Sequence, residues 1–295
     1  MKPRDLVDLM LLAALWGGSF MFMRVAAPEF GPVALALVRV AVAAVFLLSA
    51  LAWLGRLGGL RARAVPLAVV GTINSALPFV LFAYATLTLT AGAAAVMNAT
   101  TPMWGALIAW LWLREPLGAA RAAGLAVGFA GVVLLAGGGA GACTGAKAGT
   151  QAAATAAALA AAASYGVAAS YARRRLADAD PLLIAAGSQV AATLVLAPLA
   201  ALFWPPQPMS GFAWASAVVM GVASTGWAYV LYFRLIGRVG PARAMTVTYL
   251  VPLFAVLWGA LLLGERPTAA MLAGGLVVLA GTAIATGVIR PRAPR

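Results

Sequence analysis

Arg39 is the one charge that lies well inside an apolar run of this chain, the run over residues 32–54. An ionised side chain left in hydrocarbon costs about 2.5–3.5 kcal/mol or more, so its presence asks for a use. Two uses remain open. The guanidinium forks onto the carboxylate of a bound solute, or it snorkels outward and pins its own helix by bonding to carbonyls. Polar and aromatic residues recur at helical spacing elsewhere: Asn74, Pro78 and Phe82; Met97, Asn98 and Thr101; Ser224, Trp227 and Ala228; Met245, Thr248 and Tyr249. Faces of this kind suit a small solute, and they equally suit hydrogen bonding between helices. Trp16, Phe20, Tyr165, Trp227 and Tyr249 fit an apolar or aromatic solute whose ammonium group meets a ring face, or they serve packing. A phosphorylated solute asks for several cations, and Arg39 alone is available. A zwitterionic amino acid with a bulky side chain meets this inventory best.

The elements that position these residues are apolar throughout. Of 295 residues 64% are hydrophobic and 9% charged, with a mean hydropathy of +1.00, where soluble domains carry about 25% charged residues. Runs long enough to cross about 30 Å of hydrocarbon fall at 5–26, 32–54, 65–87, 90–113, 118–136, 152–172, 181–203, 211–233, 241–263 and 268–289. The expected fold is an all-α integral membrane protein of ten transmembrane helices. The sixth run is the weakest, because QAAATAAALAAAAS is mostly alanine, near neutral for insertion; a soluble alanine helix is its alternative. Trp53, Trp110, Trp112 and Trp204, at run ends, suit the interfacial belt.

The chain is also duplicated. Pro102–Glu115 (PMWGALIAWLWLRE) and Pro252–Glu265 (PLFAVLWGALLLGE) share a pattern at an offset of 150 positions, and the register carries Gly71 to Gly221, Asn74 to Ser224, Asn98 to Thr248, Gly124 to Gly274 and Gly131 to Gly281. Such self-similarity marks a repeated architecture. The expected units are 1–136 and 152–295, joined by a mobile Gly-rich external linker, 137–151. Lys and Arg accumulate on cytoplasmic loops; placing both termini there puts Lys2, Arg4, Arg56, Arg61, Arg63, Arg114, Arg121, Arg173, Arg174, Arg175, Arg234, Arg238, Arg243, Arg290, Arg292 and Arg295 inside, against Arg24, Lys147 and Arg266 outside. Five helices per unit then invert the second copy, and inverted repeats set a substrate site near the midplane. Pro78, Pro102 and Pro252 fall inside runs, with Pro102 and Pro252 as expected hinges.

The net charge of +13 lies spread over helix ends, without a basic stripe bearing interleaved aromatics. The expected partners are therefore a small-molecule substrate and the lipid bilayer, not nucleic acid. Small-residue stripes at Ala120, Gly124, Gly128 and Gly131, repeated at Ala270, Gly274 and Gly281, serve helix packing or a dimer face, leaving monomer and homodimer open.

Asp5, Asp8, Glu29, Glu115, Asp178, Asp180 and Glu265 are all the acids, each near a run end or in a loop, and there is no histidine. Ion-coupled transport usually shows an intramembrane acid, so facilitated movement is favoured; protonation of Asp5 or Asp8 in a vestibule stays open. A membrane enzyme is the rival class. It would need clustered metal ligands or an activated nucleophile with its base, and neither is visible. No cofactor or metal is expected, and Cys143 reads as an incidental loop residue.

PMWGALIAWLWLRE and PLFAVLWGALLLGE resemble the proline-to-LGE signature closing the fourth helix of each EamA domain in the drug/metabolite transporter superfamily, and LWGGSF at 15–20 resembles that family's first-helix motif. Arg114 stands where the first LGE would carry glycine. The resemblance covers nearly the whole chain. It implies a ten-helix transporter of small metabolites in a bacterial inner membrane, nearest to the amino-acid exporters, with a multidrug or nucleobase-type exporter as the alternative.

Overall fold

The computed structural model describes residues 2–137 and 147–288, apart from the side chains of Ala148 and Ala242. Most of the linker expected at 137–151, including Cys143, lies outside the described residues, as do Arg290, Arg292 and Arg295. The helices are α1 (Pro3–Trp53), α2 (Ala64–Ala85), α3 (Ala91–Asn98), α4 (Thr101–Leu113), α5 (Ala119–Gly137), α6 (Ala148–Arg175), α7 (Pro181–Leu202), α8 (Gly211–Val239), α9 (Pro241–Ala244), α10 (Val247–Leu263) and α11 (Ala269–Ala285). No strand occurs among the described residues. Six of these helices, α1, α2, α5, α6, α7 and α8, are long and apolar enough to cross a membrane, and α10 and α11 are shorter apolar helices. This is a multi-pass membrane protein.

α1 is two arms. Gly31 breaks it with φ 68° and ψ 161°, a conformation that glycine reaches without a Cβ clash, and Pro32 favours an extended residue before it. The chain turns back on itself there, which is how the second arm returns Arg39 to the interior. The alanine-rich α6 packs against α2 and α4, and Ala154, Ala158, Ala161 and Ala162 along it are buried. It belongs to the bundle and is not a detached helix.

Helices from the two halves of the chain pack on each other. α5 and α11 form the most extensive pair, and α1 lies against α7, α8 and α10. In the α5–α11 seam, a Cβ on Gly124 would strike the Ala285 backbone, one on Gly131 would come within 2.7 Å of Val278 N, and one on Gly281 would strike the Gly128 backbone. The small-residue stripes expected from the sequence therefore face each other within one chain. Trp53, Trp110, Trp112 and Trp204 are all exposed, as belt residues would be.

Candidate functional site

Two of the long helices carry a π-helical turn at matching places, α2 over Thr72–Ala76 and α8 over Met220–Trp227. A π-turn widens the helix by one residue, loosens its backbone bonding and often marks a functional site. Here each turn receives a buried polar side chain from another helix. Arg39, 6% exposed, donates from Nε to Thr225 Oγ1 of the α8 turn at 2.9 Å. Gln189, fully buried in α7, donates from Nε2 to Ser75 Oγ of the α2 turn at 2.8 Å. Gln189 follows Arg39 by 150 positions, and Thr225 follows Ser75 by 150 positions. The two hydrogen bonds are therefore counterparts at the repeat offset, each joining the first half of the chain to the second.

Arg39 has no carboxylate partner among the described residues. Its guanidinium lies over the Phe79 ring at 3.8 Å, Nη1 has only the Met23 sulfur at 4.0 Å, and Nη2 has no acceptor among the described residues. Desolvation of an ion is offset only when its hydrogen bonds are met, and among the described residues these donors are left unmet. Beside them Asn74 Nδ2 donates to the Tyr229 hydroxyl at 3.4 Å. The α2 turn is braced by Ser164 of α6, which donates to Ile73 O at 2.5 Å.

An aromatic row leads away from this polar pole. Tyr165 stacks on Phe82 at 6.2 Å, and Phe82 meets Phe20 edge-on at 5.4 Å. Trp16 packs on Tyr232 at 5.3 Å. Arg39 is joined through Phe79 to the apolar cluster that also holds Tyr165, so guanidinium and rings border one region. Of the residues expected to bind substrate, Arg39, Asn74, Tyr165 and Phe20 fall in this region, with Pro78 buried on α2 beside Phe79.

A second group sits at the break between α3 and α4. Asn98 ends α3 and its side chain has no hydrogen bond among the described residues, while Thr101 Oγ1 and Trp104 Nε1 on α4 are buried without a partner. Thr282 of α11 donates to Ala99 O at 3.2 Å across that break. Pro102 lies in the first turn of α4, and Pro252 is buried inside α10. Met97 is buried in the apolar core. Tyr249 shares a 2.7 Å hydrogen bond with Thr286, which draws it to the end of α11. Ser224 is buried and Thr248 half-buried, neither with a side-chain hydrogen bond among the described residues. Trp227 is 44% exposed and makes no hydrogen bond or ring contact among the described residues. The spacing from Ser224 to Trp227 assumed a regular helix, and the π-turn changes the phase between them. Gln189, Thr225, Ser75, Phe79 and Tyr229 lie in this candidate region and were not singled out by the spacing argument.

Both ends of the bundle are tied. At the end that carries the N-terminus, Asp8 accepts from Arg234 at 2.7 Å and from Arg238, and Asp5 Oδ1 lies 3.4 Å from Arg238 Nη1. Arg56 pairs with Asp180 at 2.9 Å, Arg63 with Asp178 at 2.7 Å and Arg173 with Glu115 at 2.5 Å. The Arg63 hydrogen bond holds the Asp178 carboxyl below its ordinary pKa. At the opposite end Glu265 accepts the Ala91 N–H with both oxygens, at 3.2 and 3.0 Å, and lies 3.7 Å from Arg24 Nε. Burial pushes the Glu265 carboxyl up in pKa. Glu29 there accepts from Ser210 N at 2.6 Å and from Ser210 Oγ at 2.8 Å.

Known proteins share this plan. The chain is 30% identical over 92% of its length, and 90% of the relative's, to a probable terminal-alkyne amino-acid exporter of Streptantibioticus cattleyicolor. It is 24% identical to an uncharacterized transporter of Archaeoglobus fulgidus, over 97% of this chain and 98% of that one. It is 23% identical to the uncharacterized transporter YvbV of Bacillus subtilis, over 94% and 90% of the two chains. A crystal structure 21% identical in sequence superposes with a TM-score of 0.67 over 98% of each chain, which establishes the likeness of fold. The EamA-like transporter family matches twice, over residues 7–137 and 153–287, and the chain belongs to that family.

Proposed function

We propose that the chain is a ten-helix carrier built of two inverted five-helix repeats, 1–136 and 152–295, which exports amino acids with aromatic or other bulky apolar side chains by alternating access. The ten spans are the two arms of α1, then α2, α3 with α4, α5, α6, α7, α8, α9 with α10, and α11. The paired hydrogen bonds Arg39–Thr225 and Gln189–Ser75 support an inverted pseudo-two-fold relation. The observation that carries the substrate reading is the buried Arg39 guanidinium, held between the two halves without a neutralising carboxylate among the described residues. A substrate carboxylate completes it, and Phe79, Tyr165, Phe82 and Phe20 line the way for the side chain. The relative named as a probable amino-acid exporter agrees with this substrate class.

Movement is facilitative on this reading, because the acids sit at the ends of the bundle and none accompanies Arg39 inside it. Opening towards one side breaks the ion pairs of that end while those of the other hold. The termini lie in the cytoplasm of a bacterial cell. Binding of labelled phenylalanine to detergent-purified protein tests the site: Arg39→Gln is expected to weaken it at least about tenfold, the size of a lost charge-assisted hydrogen bond. Unchanged binding in a variant of normal elution profile would contradict the reading, and displacement by planar drugs or nucleobases instead of amino acids would move it to those solutes.

A further inference from the structure

Gln189 presents an acceptor that nothing among the described residues satisfies. Its Nε2 is used on Ser75, and its Oε1 is buried without a donor. A buried carbonyl of this kind is rarely left orphaned and calls for an explanation. The other orphaned buried atoms of the described residues are the Ser19 and Thr101 hydroxyls, the Trp104 N–H and Asp5 Oδ1, the last set beside Arg238 at the bundle end. Hydroxyls can donate as well as accept, and the indole only donates. Among the described residues Gln189 Oε1 is thus the one orphaned atom inside the bundle that can do nothing but accept.

Its counterpart at the repeat offset, Arg39, has the opposite deficit: guanidinium donors without an acceptor. We infer that Gln189 Oε1 receives the ammonium group of the substrate while Arg39 receives its carboxylate, so that the carrier recognises the zwitterionic head of an α-amino acid and not a simple carboxylate or amine. The inference rests on the amino-acid reading above. The residue type follows from electrostatics. A carboxylate at position 189 would bring an anion into the bundle that competes for the Arg39 guanidinium. A neutral amide carbonyl accepts N–H bonds yet leaves Arg39 in need of an anion. The acids all lie at the ends of the bundle, so an ammonium carried into the interior has only neutral oxygens and ring faces to meet, and Tyr165 supplies such a face near Arg39.

Counterflow of labelled phenylalanine into proteoliposomes, competed by phenylalanine, by 3-phenylpropionate (no amine) and by phenethylamine (no carboxylate), tests this. In the wild type each truncated analogue is expected to compete about tenfold or more weakly than phenylalanine. In Gln189→Leu, and in the closer-shaped Gln189→Met should the first fail to fold, the inhibition constant for phenylalanine is expected to rise about tenfold with that for 3-phenylpropionate unchanged. Equal weakening of both, or no change in either, overturns the role of Gln189 and leaves that of Arg39 standing. A wild type in which 3-phenylpropionate competes as well as phenylalanine overturns it too. Absence of any phenylalanine counterflow in the wild type brings down the amino-acid reading itself, and this inference with it.

Discussion

Replacing Gly281 by alanine probes the contact on which the two halves of the chain lean most heavily. A Cβ there would strike Gly128 N and Cα and lie 2.8 Å from Gly124 O. All three are backbone atoms, so relief requires α5 and α11 to part, which also loosens Gly131 against Val278 and Gly274 against Leu135. Overpacking of this kind costs about 1–3 kcal/mol, and the blocked backbone puts this site at the upper end. Alanine gains about 1 kcal/mol of helix propensity over glycine, which leaves a net loss of about 2 kcal/mol. For a chain of this size that is a fall of about 3 °C in melting temperature, read by size exclusion after heating in detergent. Gly105→Ala is the control, since its Cβ meets open space within the same bundle; it should melt at or slightly above the wild type. Gly128→Ala should fall between, because its Cβ meets the flexible end of Met103. A Gly281→Ala protein that melts with the wild type would refute the seam. Gly128→Leu, larger still, is expected to impair folding.

Other outcomes follow from single residues. Arg114 holds φ 57° where its counterpart Gly264 has φ 65°; that conformation costs a side-chain-bearing residue about 1–2 kcal/mol, so Arg114→Gly should stabilise by about 0.5–1 kcal/mol after the greater freedom of unfolded glycine, visible as a higher melting temperature. Glu265 and Asp178 should give opposite pH signs. Burial raises Glu265 above its ordinary 4.5, so folding binds protons in the window above that value, and its contribution falls as pH rises through it. The melting temperature of wild type minus that of Glu265→Gln should therefore decrease over that window. Asp178 is lowered from 3.8 by Arg63, so its contribution, present above that value, is lost as pH falls below it, and the difference from Asp178→Asn should shrink on acidification. Trp227 is 44% exposed, without a hydrogen bond or ring contact among the described residues, and Trp227→Ala should leave substrate binding within about twofold.

Much of the bundle was legible in the chain because hydrocarbon thickness and backbone satisfaction leave so few options. The offset that aligns Pro102 with Pro252 also aligns the π-turns over Thr72–Ala76 and Met220–Trp227. Arg39 was conspicuous as a charge. Its partners were not, since serine, threonine and glutamine in membrane helices bond to helix carbonyls as readily as they line sites. The signal that would have found Gln189 was the repeat itself, which places it opposite Arg39; the absence of a charge there hid it. The face that joined Ser224 to Trp227 meets a local difficulty. A face drawn with 3.6 residues per turn does not survive an inserted residue, and no residue type in Met220–Trp227 announces the insertion.

The central claim is that the two halves enclose one solute path with Arg39 as its anion-binding pole. Counterflow of labelled phenylalanine in proteoliposomes, with and without a pH gradient, in the wild type beside Arg39→Gln, tests it most directly. The account predicts exchange in the wild type that ignores the gradient and is lost in the variant. Exchange that persists in Arg39→Gln at the wild-type rate would contradict it.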